Sequence, residues 1–242
     1  MVALFAQLQM ELRLTARRGE NVLVTAIVPV VVLVFFASVD VLPIPGGRPV
    51  DFLLPGSLAL AIVATSLVSL GIATAYERGY GVLKRLGGSP LTRGSLLAAK
   101  IGSVLVVEVL QITALISIAW LVLGWNPPET TNPALLVLAG GVGTVAFAGL
   151  GLLLAGTLRA EATLALANAL FLATLLLGGI IVPLDQLPGF LGDIASLLPG
   201  AALSAVLGIA LGATGDAVFP MAILSAWAVS AVVLAARSFR WD

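Results

Sequence analysis

Charged residues divide this chain into long apolar stretches. A helix that crosses a membrane needs about 20 predominantly apolar residues. Six stretches of suitable length lie between the charges, at residues 22–39, 52–76, 101–123, 134–158, 162–184 and 217–236. The pattern predicts an all-α polytopic membrane protein in which residues 1–242 form a single transmembrane domain with six spanning helices.

Two further segments have different patterns. In residues 1–20, Phe5, Leu8 and Leu12 recur at helical spacing among polar residues, which predicts an interfacial elbow helix. Residues 185–215 are apolar, but prolines and glycines divide them into short pieces. Apolar pieces of about 10–14 residues are typical of re-entrant or interfacial segments. We expect an external re-entrant helical hairpin between the fifth and sixth spans, or alternatively an interfacial loop that packs on its own bundle.

The distribution of charge indicates the topology. The chain carries 12 Lys and Arg against 12 Asp and Glu, so its formal net charge is zero. Short cytoplasmic loops of membrane proteins are rich in Lys and Arg. Six spans with both termini in the cytoplasm leave Arg48 as the only external cation, whereas a seventh span would move Arg237 and Arg240 outside. We therefore expect a multi-pass protein of a bacterial plasma membrane with cytoplasmic termini.

Composition narrows the function classes. The chain is 60% hydrophobic and 10% charged, and it contains no Cys and no His. The absence of Cys and His excludes catalysis by a thiol or an imidazole group and excludes the usual zinc sites. The only lysines, Lys84 and Lys100, do not lie in a Gly-Lys-Ser/Thr phosphate-binding loop. We predict that the chain is not an enzyme and that it binds no metal, no cofactor and no nucleic acid.

The loop at residues 77–100, between the second and third apolar stretches, carries five of the 12 cations. Tyr80, Leu83 and Leu86 are spaced three residues apart, which places them on one face of a short helix. An apolar face surrounded by charge is suited to docking in a groove of a soluble partner. The alternative is an ordinary basic loop that neutralises anionic lipid headgroups.

Glu108 is the only ionisable residue inside an apolar stretch, and Gln111 follows it by about one helical turn. An intramembrane carboxyl group is costly and is therefore a candidate for function. The alternative is a packing hydrogen bond to a Ser, Thr or Asn of another helix, such as Asn168 in the fifth span. Our candidates for a substrate pathway are Glu108, Gln111 and Asn168.

The loop also carries a motif, Glu77-Arg78-x-x-Gly81-x-Leu83-Lys84-Arg85-Leu86-x-x-Ser89-Pro90-Leu91. This run resembles the loop between the second and third spans of type-2 ATP-binding-cassette (ABC) exporter permeases, the drug, polysaccharide and lipid exporter family. The similarity extends to the elbow helix, the six spans, and Leu187-Pro188 and Leu198-Pro199 before the last span. It implies a coupling helix formed by Glu77, Arg78, Gly79, Tyr80, Gly81, Val82, Leu83, Lys84, Arg85 and Leu86.

The resemblance also implies partners. In that family the coupling helix rests on a separate ATPase subunit, which binds ATP and Mg²⁺, and its closure is transmitted to the membrane domain. The expected assembly has two ATPase subunits and a second permease, which is either another copy of this chain or a homologue, within membrane lipids. We expect an exporter of amphiphilic drugs or lipids from the cytoplasm or inner leaflet. The alternatives are a non-transporting scaffold subunit, and a permease for polysaccharides or lipid-linked glycans.

Overall fold

The computed structural model describes residues 2–17, 19–39, 48–87 and 93–238. Within these ranges it is helical and contains no strands, which confirms the predicted fold class. The helices are α1 (Val2–Arg17), α2 (Gly19–Ser38), α3 (Pro49–Val63), α4 (Leu70–Gly79), α5 (Val82–Gly87), α6 (Arg93–Leu121), α7 (Pro133–Thr157), α8 (Ala160–Leu177), α9 (Gly189–Ser196), α10 (Pro199–Ala210) and α11 (Val218–Ser238).

Five helices of the described chain are long and apolar enough to cross a membrane: Pro49–Gly79, Gly94–Leu121, Pro133–Thr157, Ala160–Leu177 and Val218–Ser238. The helix Pro49–Gly79 consists of α3 and α4, which a π-helical turn at Ala64–Ser69 joins without a break. Within the part of α2 whose side chains the structure describes, the apolar helix Thr25–Ser38 is shorter. It corresponds to the first predicted span.

Local sequence signals set the helix starts. Asn132 caps α7 because its side-chain oxygen accepts a hydrogen bond from the Leu135 backbone nitrogen at 3.1 Å. Pro49, Pro133 and Pro199 occupy the first turn of their helices, where the missing N–H costs nothing.

The fifth helix ends earlier than predicted. The apolar stretch extends to residue 184, but α8 stops at Leu177. Gly178 and Gly179 follow, and Gly179 has a φ of 64°, the left-handed conformation in which glycine commonly ends a helix. Apolar length alone did not reveal this end.

The segment after α8, where we predict an external re-entrant helical hairpin, contains two helical pieces. The axes of α9 and α10 differ by 79°. Most of α10 is buried between α3 and α7, and Leu203 and Leu207 belong to the main hydrophobic core. A glycine permits this packing, since a Cβ atom on Gly143 would lie 2.8 Å from a methyl group of Leu203.

The continuous helix Pro49–Gly79 is the centre of the bundle. It contacts α2, α6, α7, α8 and α10. Its closest approach to α7 is at the π-helical turn, where a Cβ atom on Gly151 would lie 2.8 Å from the Leu67 carbonyl oxygen. On the other side of α7, a Cβ atom on Gly149 would lie 2.9 Å from Ala231 of α11. Glycines therefore allow α7 to pack against two helices at backbone distance.

Candidate functional site

The predicted coupling element lies where the central helix ends and turns. Glu77, Arg78 and Gly79 form the last turn of α4, and α5 begins at Val82. Gly81 joins the two helices with a φ of 71°, a conformation that residues with a side chain adopt only under strain. The short helix α5 is therefore attached to the central helix through a tight two-residue turn.

Leu83 attaches α5 to the bundle. Its side chain is 0% exposed and packs in a cluster with residues of α4, α6, α7 and α11, including Leu70, Leu96, Leu152 and Ala235. The predicted apolar docking face therefore does not present Leu83, because this side chain is buried within its own chain. The assignment of Leu83 to the coupling element stays a prediction. The side chain of Leu86 lies outside the described residues.

The opposite side of α5 is open. Tyr80 is 75% exposed, and Val82, Lys84 and Arg85 are exposed with it. We call these four residues the α5 outer face. The ring of Tyr80 stacks on Tyr76 with a centroid separation of 6.1 Å, which supports it against α4. The outer face thus combines an aromatic ring, a small apolar side chain and two cations.

Two polar contacts tie the end of α4 to other helices. The Lys100 ammonium of α6 lies 2.7 Å from Glu77 Oε2 and 3.1 Å from Glu11 Oε1 of α1. Arg78 donates a hydrogen bond of 2.5 Å to the Leu158 carbonyl oxygen at the end of α7. These contacts would therefore transmit a displacement of the α4 end to α1, α6 and α7.

The intramembrane acid is hydrogen-bonded to a Thr of another helix and not to Asn168, the example that we named. Glu108 is 2% exposed, and Thr144 of α7 donates its hydroxyl group to Glu108 Oε2. The other oxygen, Oε1, has no hydrogen-bond partner among the described residues. Asn168 instead donates to the Leu164 carbonyl oxygen of its own helix at 2.9 Å. A hydrogen bond to a Thr of another helix is therefore present, as the alternative interpretation of Glu108 proposed, while the place of Glu108 in a substrate pathway stays a prediction.

Gln111 joins α6 to two other elements. Its Oε1 atom accepts a hydrogen bond of 2.7 Å from Thr65 in the π-helical turn. Its Nε2 atom donates at 3.3 Å to the Thr25 hydroxyl group of α2. Gln111 and Glu108 are therefore buried inside one bundle, whereas Asn168 lies exposed on α8.

Comparison with known proteins decides the family. Residues 2–211 match the ABC2_membrane family, described as the ABC-2 type transporter. The chain belongs to the ABC-2 type transporter family. The match covers α1 to α10, including the coupling element and the bent pair of helices.

Two relatives support this assignment. The ABC-2 chain is 25% identical to the protein named "Putative transport permease YvfS" of Bacillus subtilis (strain 168) over 192 residues, which are 78% of this chain and 77% of the relative. It is 29% identical to ABC transporter G family member 20 of Dictyostelium discoideum over 158 residues, which are 64% of this chain and 21% of the relative. The aligned part therefore spans about a fifth of the latter protein.

Membership of the ABC-2 family has direct consequences. The chain is a transmembrane subunit of an ABC transporter and a multi-pass membrane protein, and its family implies partnership with an ABC ATPase subunit. Within the described residues of this ABC-2 subunit, no three His, Cys, Asp or Glu side chains are grouped as metal ligands.

Sequence reasoning missed the polar contacts of two buried residues of this ABC-2 subunit. Lys100 was counted as a loop cation, but it is 1% exposed and pairs with Glu11 and Glu77. One signal was available, because Lys100 directly precedes the third apolar stretch and a lysine there needs either water or an acid. Thr144, the partner of Glu108, carried no such signal among the many small residues of α7.

Proposed function

We propose that this ABC-2 subunit is the permease half of an ATP-driven exporter for amphiphilic, drug-like or lipid-like substrates. Two separate ATPase subunits bind ATP and Mg²⁺, and two permease subunits, identical or homologous, enclose the substrate path. The substrate leaves the cytoplasm or the inner leaflet. The observation that carries this proposal is the α5 outer face, which is exposed while Glu77, Arg78 and Leu83 of the same element are anchored to the bundle.

The anchoring supports a mechanical role. A force on Tyr80 or Arg85 acts on a helix that Leu83 holds against α4, α6, α7 and α11. Because Gly81 allows only a short turn, the force passes to α4 and then along the continuous helix Pro49–Gly79. A helix of this length is stiff compared with a loop. ATPase closure at one end therefore moves the centre of the bundle.

The outer surface of α8 is consistent with amphiphilic substrates. Leu166, Leu172 and Leu176 are exposed there, and Asn168 is exposed on the same helix. A mainly apolar wall with few polar groups is typical of sites for apolar ligands. If α8 lines a cleft between two permeases, Asn168 is the pathway candidate that meets the substrate, while Glu108 and Gln111 hold helices together.

A cavity of about 700 Å³ lies between the first turns of α3, the end of α8, and α10. Arg48, Asp51 and Phe52 line it together with Pro183 and Ser204. This volume lies within the range of about 300–1,000 Å³ that is typical of small-molecule sites. We propose that it belongs to the external half of the substrate path.

The test is reconstitution of the chain with its ATPase subunit in proteoliposomes, followed by parallel measurement of ATP hydrolysis and substrate efflux. Tyr80→Ala with Arg85→Gln is expected to weaken ATPase binding by about 10-fold or more, because aromatic and Arg side chains dominate protein interfaces. Efflux should fall with it. The matched control is Arg237→Gln, which removes an exposed cation from the last turn of α11.

Two outcomes would contradict the proposal. Unchanged binding and efflux in the double variant would show that the α5 outer face is not the ATPase contact. ATPase binding without ATP-dependent efflux of any amphiphile from the wild-type complex would favour the scaffold function instead.

A further inference from the structure

An apolar groove of about 380 Å³ lies between the predicted elbow helix α1, α2 and one side of α6. Its walls include Leu12 and Ala16 of α1, Ala26 of α2, and Val106, Leu110 and Ala114 of α6. The groove differs from the proposed substrate path, since none of its lining residues lines the cavity at α3, α8 and α10.

The groove opens onto an exposed apolar surface of α6. Leu110, on its rim, is 67% exposed, and Val109 and Leu105 beside it on α6 are also exposed. The apolar wall continues along α1, because Phe5 lies about 20° from Leu12 around the helix and is exposed as well. A groove that is continuous with such a surface is suited to an acyl chain.

One edge of the groove carries a cation. Arg13 lies about 60° from Ala16 around α1, on the side away from the bundle. Its side chain is exposed, and neither of the ion pairs found among the described residues uses it. Arginine binds phosphate with two parallel hydrogen bonds. The groove and Arg13 therefore offer an apolar slot with a phosphate-binding group on the neighbouring face of α1, next in sequence to the lining residue Leu12.

The elbow helix is also held firmly enough to form one wall. Leu8 packs on Gly102 of α6, where an added Cβ atom would lie 3.3 Å from a Leu8 methyl group. Glu11 is paired with Lys100 of the same helix at 3.1 Å. These two contacts fix α1 against α6 on one side of the groove, and the opposite side remains open to the membrane.

We propose that this groove is a binding site for an anionic phospholipid of the leaflet in which α1 lies. One acyl chain occupies the slot between α1, α2 and α6, and the phosphate contacts Arg13. Since the elbow helix is joined through Glu11 and Lys100 to Glu77, the bound lipid stabilises the helix that supports the coupling element. The site requires only that α1 lies at a membrane, and it does not depend on the transported substrate.

The sequence contains no Cys, so a single reporter can be introduced cleanly. Leu110→Cys places a fluorescent label on the groove rim, and Val229→Cys places the same label on α11, at a position that is 65% exposed. Each labelled chain is reconstituted with its ATPase subunit in vesicles that contain either brominated phosphatidylglycerol or brominated phosphatidylcholine with identical acyl chains. Identical chains make quenching depend on the headgroup rather than on depth.

At the Leu110 position, half-maximal quenching should require about fivefold less phosphatidylglycerol than phosphatidylcholine, since one cation near the membrane surface gives a preference of about that size. Arg13→Gln should abolish this preference, and Arg159→Gln, which removes an exposed cation from the start of α8, should leave it intact. Ala114→Phe should reduce quenching by both lipids because the ring fills the slot. The Val229 label should show no headgroup preference.

Equal quenching of the Leu110 label by the two lipids would overturn the proposal, because the groove would then hold ordinary boundary lipid. A label that neither lipid quenches would also overturn it, since protein would then cover the groove. An exporter that works normally with either of these results would leave the proposed function intact and remove only the lipid site.

Discussion

The Lys100 ammonium lies 2.7 Å from the Glu77 carboxylate, so the first and last residues of the segment 77–100 are joined by an ion pair. The two ends of the segment that contains α5 are therefore held together. Lys100 also reaches Glu11 at 3.1 Å, which connects the elbow helix to the same point. One buried cation thus links α1, the central helix and α6.

The first prediction concerns this ion-paired cluster. Lys100→Met keeps the size of the side chain but leaves two carboxylates without their partner. Breaking a buried ion pair in this way is expected to lower the free energy of unfolding by about 3 kcal/mol. The measurement is a denaturant titration of the purified subunit in detergent.

Lys84→Met is the control, because Lys84 is exposed and its loss should change stability by less than about 0.5 kcal/mol. A double-mutant cycle of Lys100→Met with Glu77→Gln should give a coupling energy of about 1–3 kcal/mol. A coupling energy near zero would show that the pair does not stabilise the fold.

The second prediction separates the two sides of α5. Leu83→Ala removes a fully buried side chain and should destabilise the subunit by about 2–5 kcal/mol. Tyr80→Ala changes an exposed ring and should leave the melting temperature within a few degrees while weakening ATPase binding. Thermal unfolding and a pull-down with the ATPase subunit measure the two effects. Equal stability of the two variants would contradict the burial of Leu83.

The third prediction concerns Glu108 and Thr144. Thr144→Val leaves the buried Glu108 side chain without its hydrogen-bond donor, which should cost about 1–3 kcal/mol. Glu108→Gln keeps an oxygen that accepts from Thr144, so it should preserve both the fold and the range of exported substrates. The measurements are unfolding in detergent and efflux of a panel of amphiphilic dyes. A changed substrate range in Glu108→Gln would return this residue to the pathway.

The fourth prediction tests the contact between α7 and the π-helical turn. Gly151→Ala would place a methyl group 2.8 Å from the Leu67 carbonyl oxygen, so the helices must separate. Overpacking of this kind typically costs about 1–3 kcal/mol. Gly141→Ala on the same helix meets nothing within 4 Å and should be neutral or stabilising. The measurement is the melting temperature of each variant in the same detergent. A Gly151→Ala subunit as stable as the wild type would refute the close contact.

The order and type of the elements could be predicted from the sequence because each depends on local features. Long apolar stretches, the Pro and Gly residues in 185–215, and the charges at the ends of the stretches are all readable along the chain. The end of α8 at Leu177 was missed, since Gly178 and Gly179 are themselves compatible with an apolar stretch. The topology of the termini and the composition of the assembly stay predictions.

The sequence predicted where the candidate site lies along the chain, but not which way its side chains face. The motif at 77–86 marks the predicted coupling element, whose role stays a prediction. The spacing of Tyr80 and Leu83 suggested one common face, whereas the structure buries Leu83 and exposes Tyr80. Helical spacing assumes one uninterrupted helix, and here Gly81 turns the chain between the two residues. The face that each side chain presents is therefore set by the turn and not by the spacing.

The sequence by itself determined that this protein is an all-helical membrane protein of the ABC-2 type, with a basic loop after its second predicted span. Only the tertiary structure decided which polar residues meet: Thr144 with Glu108, 36 residues away, and Lys100 with Glu77, 23 residues away. The physical reason is that lipid tails are as apolar as a protein core. A spanning helix is consequently apolar on every side, and its composition does not mark the face that packs against its neighbours.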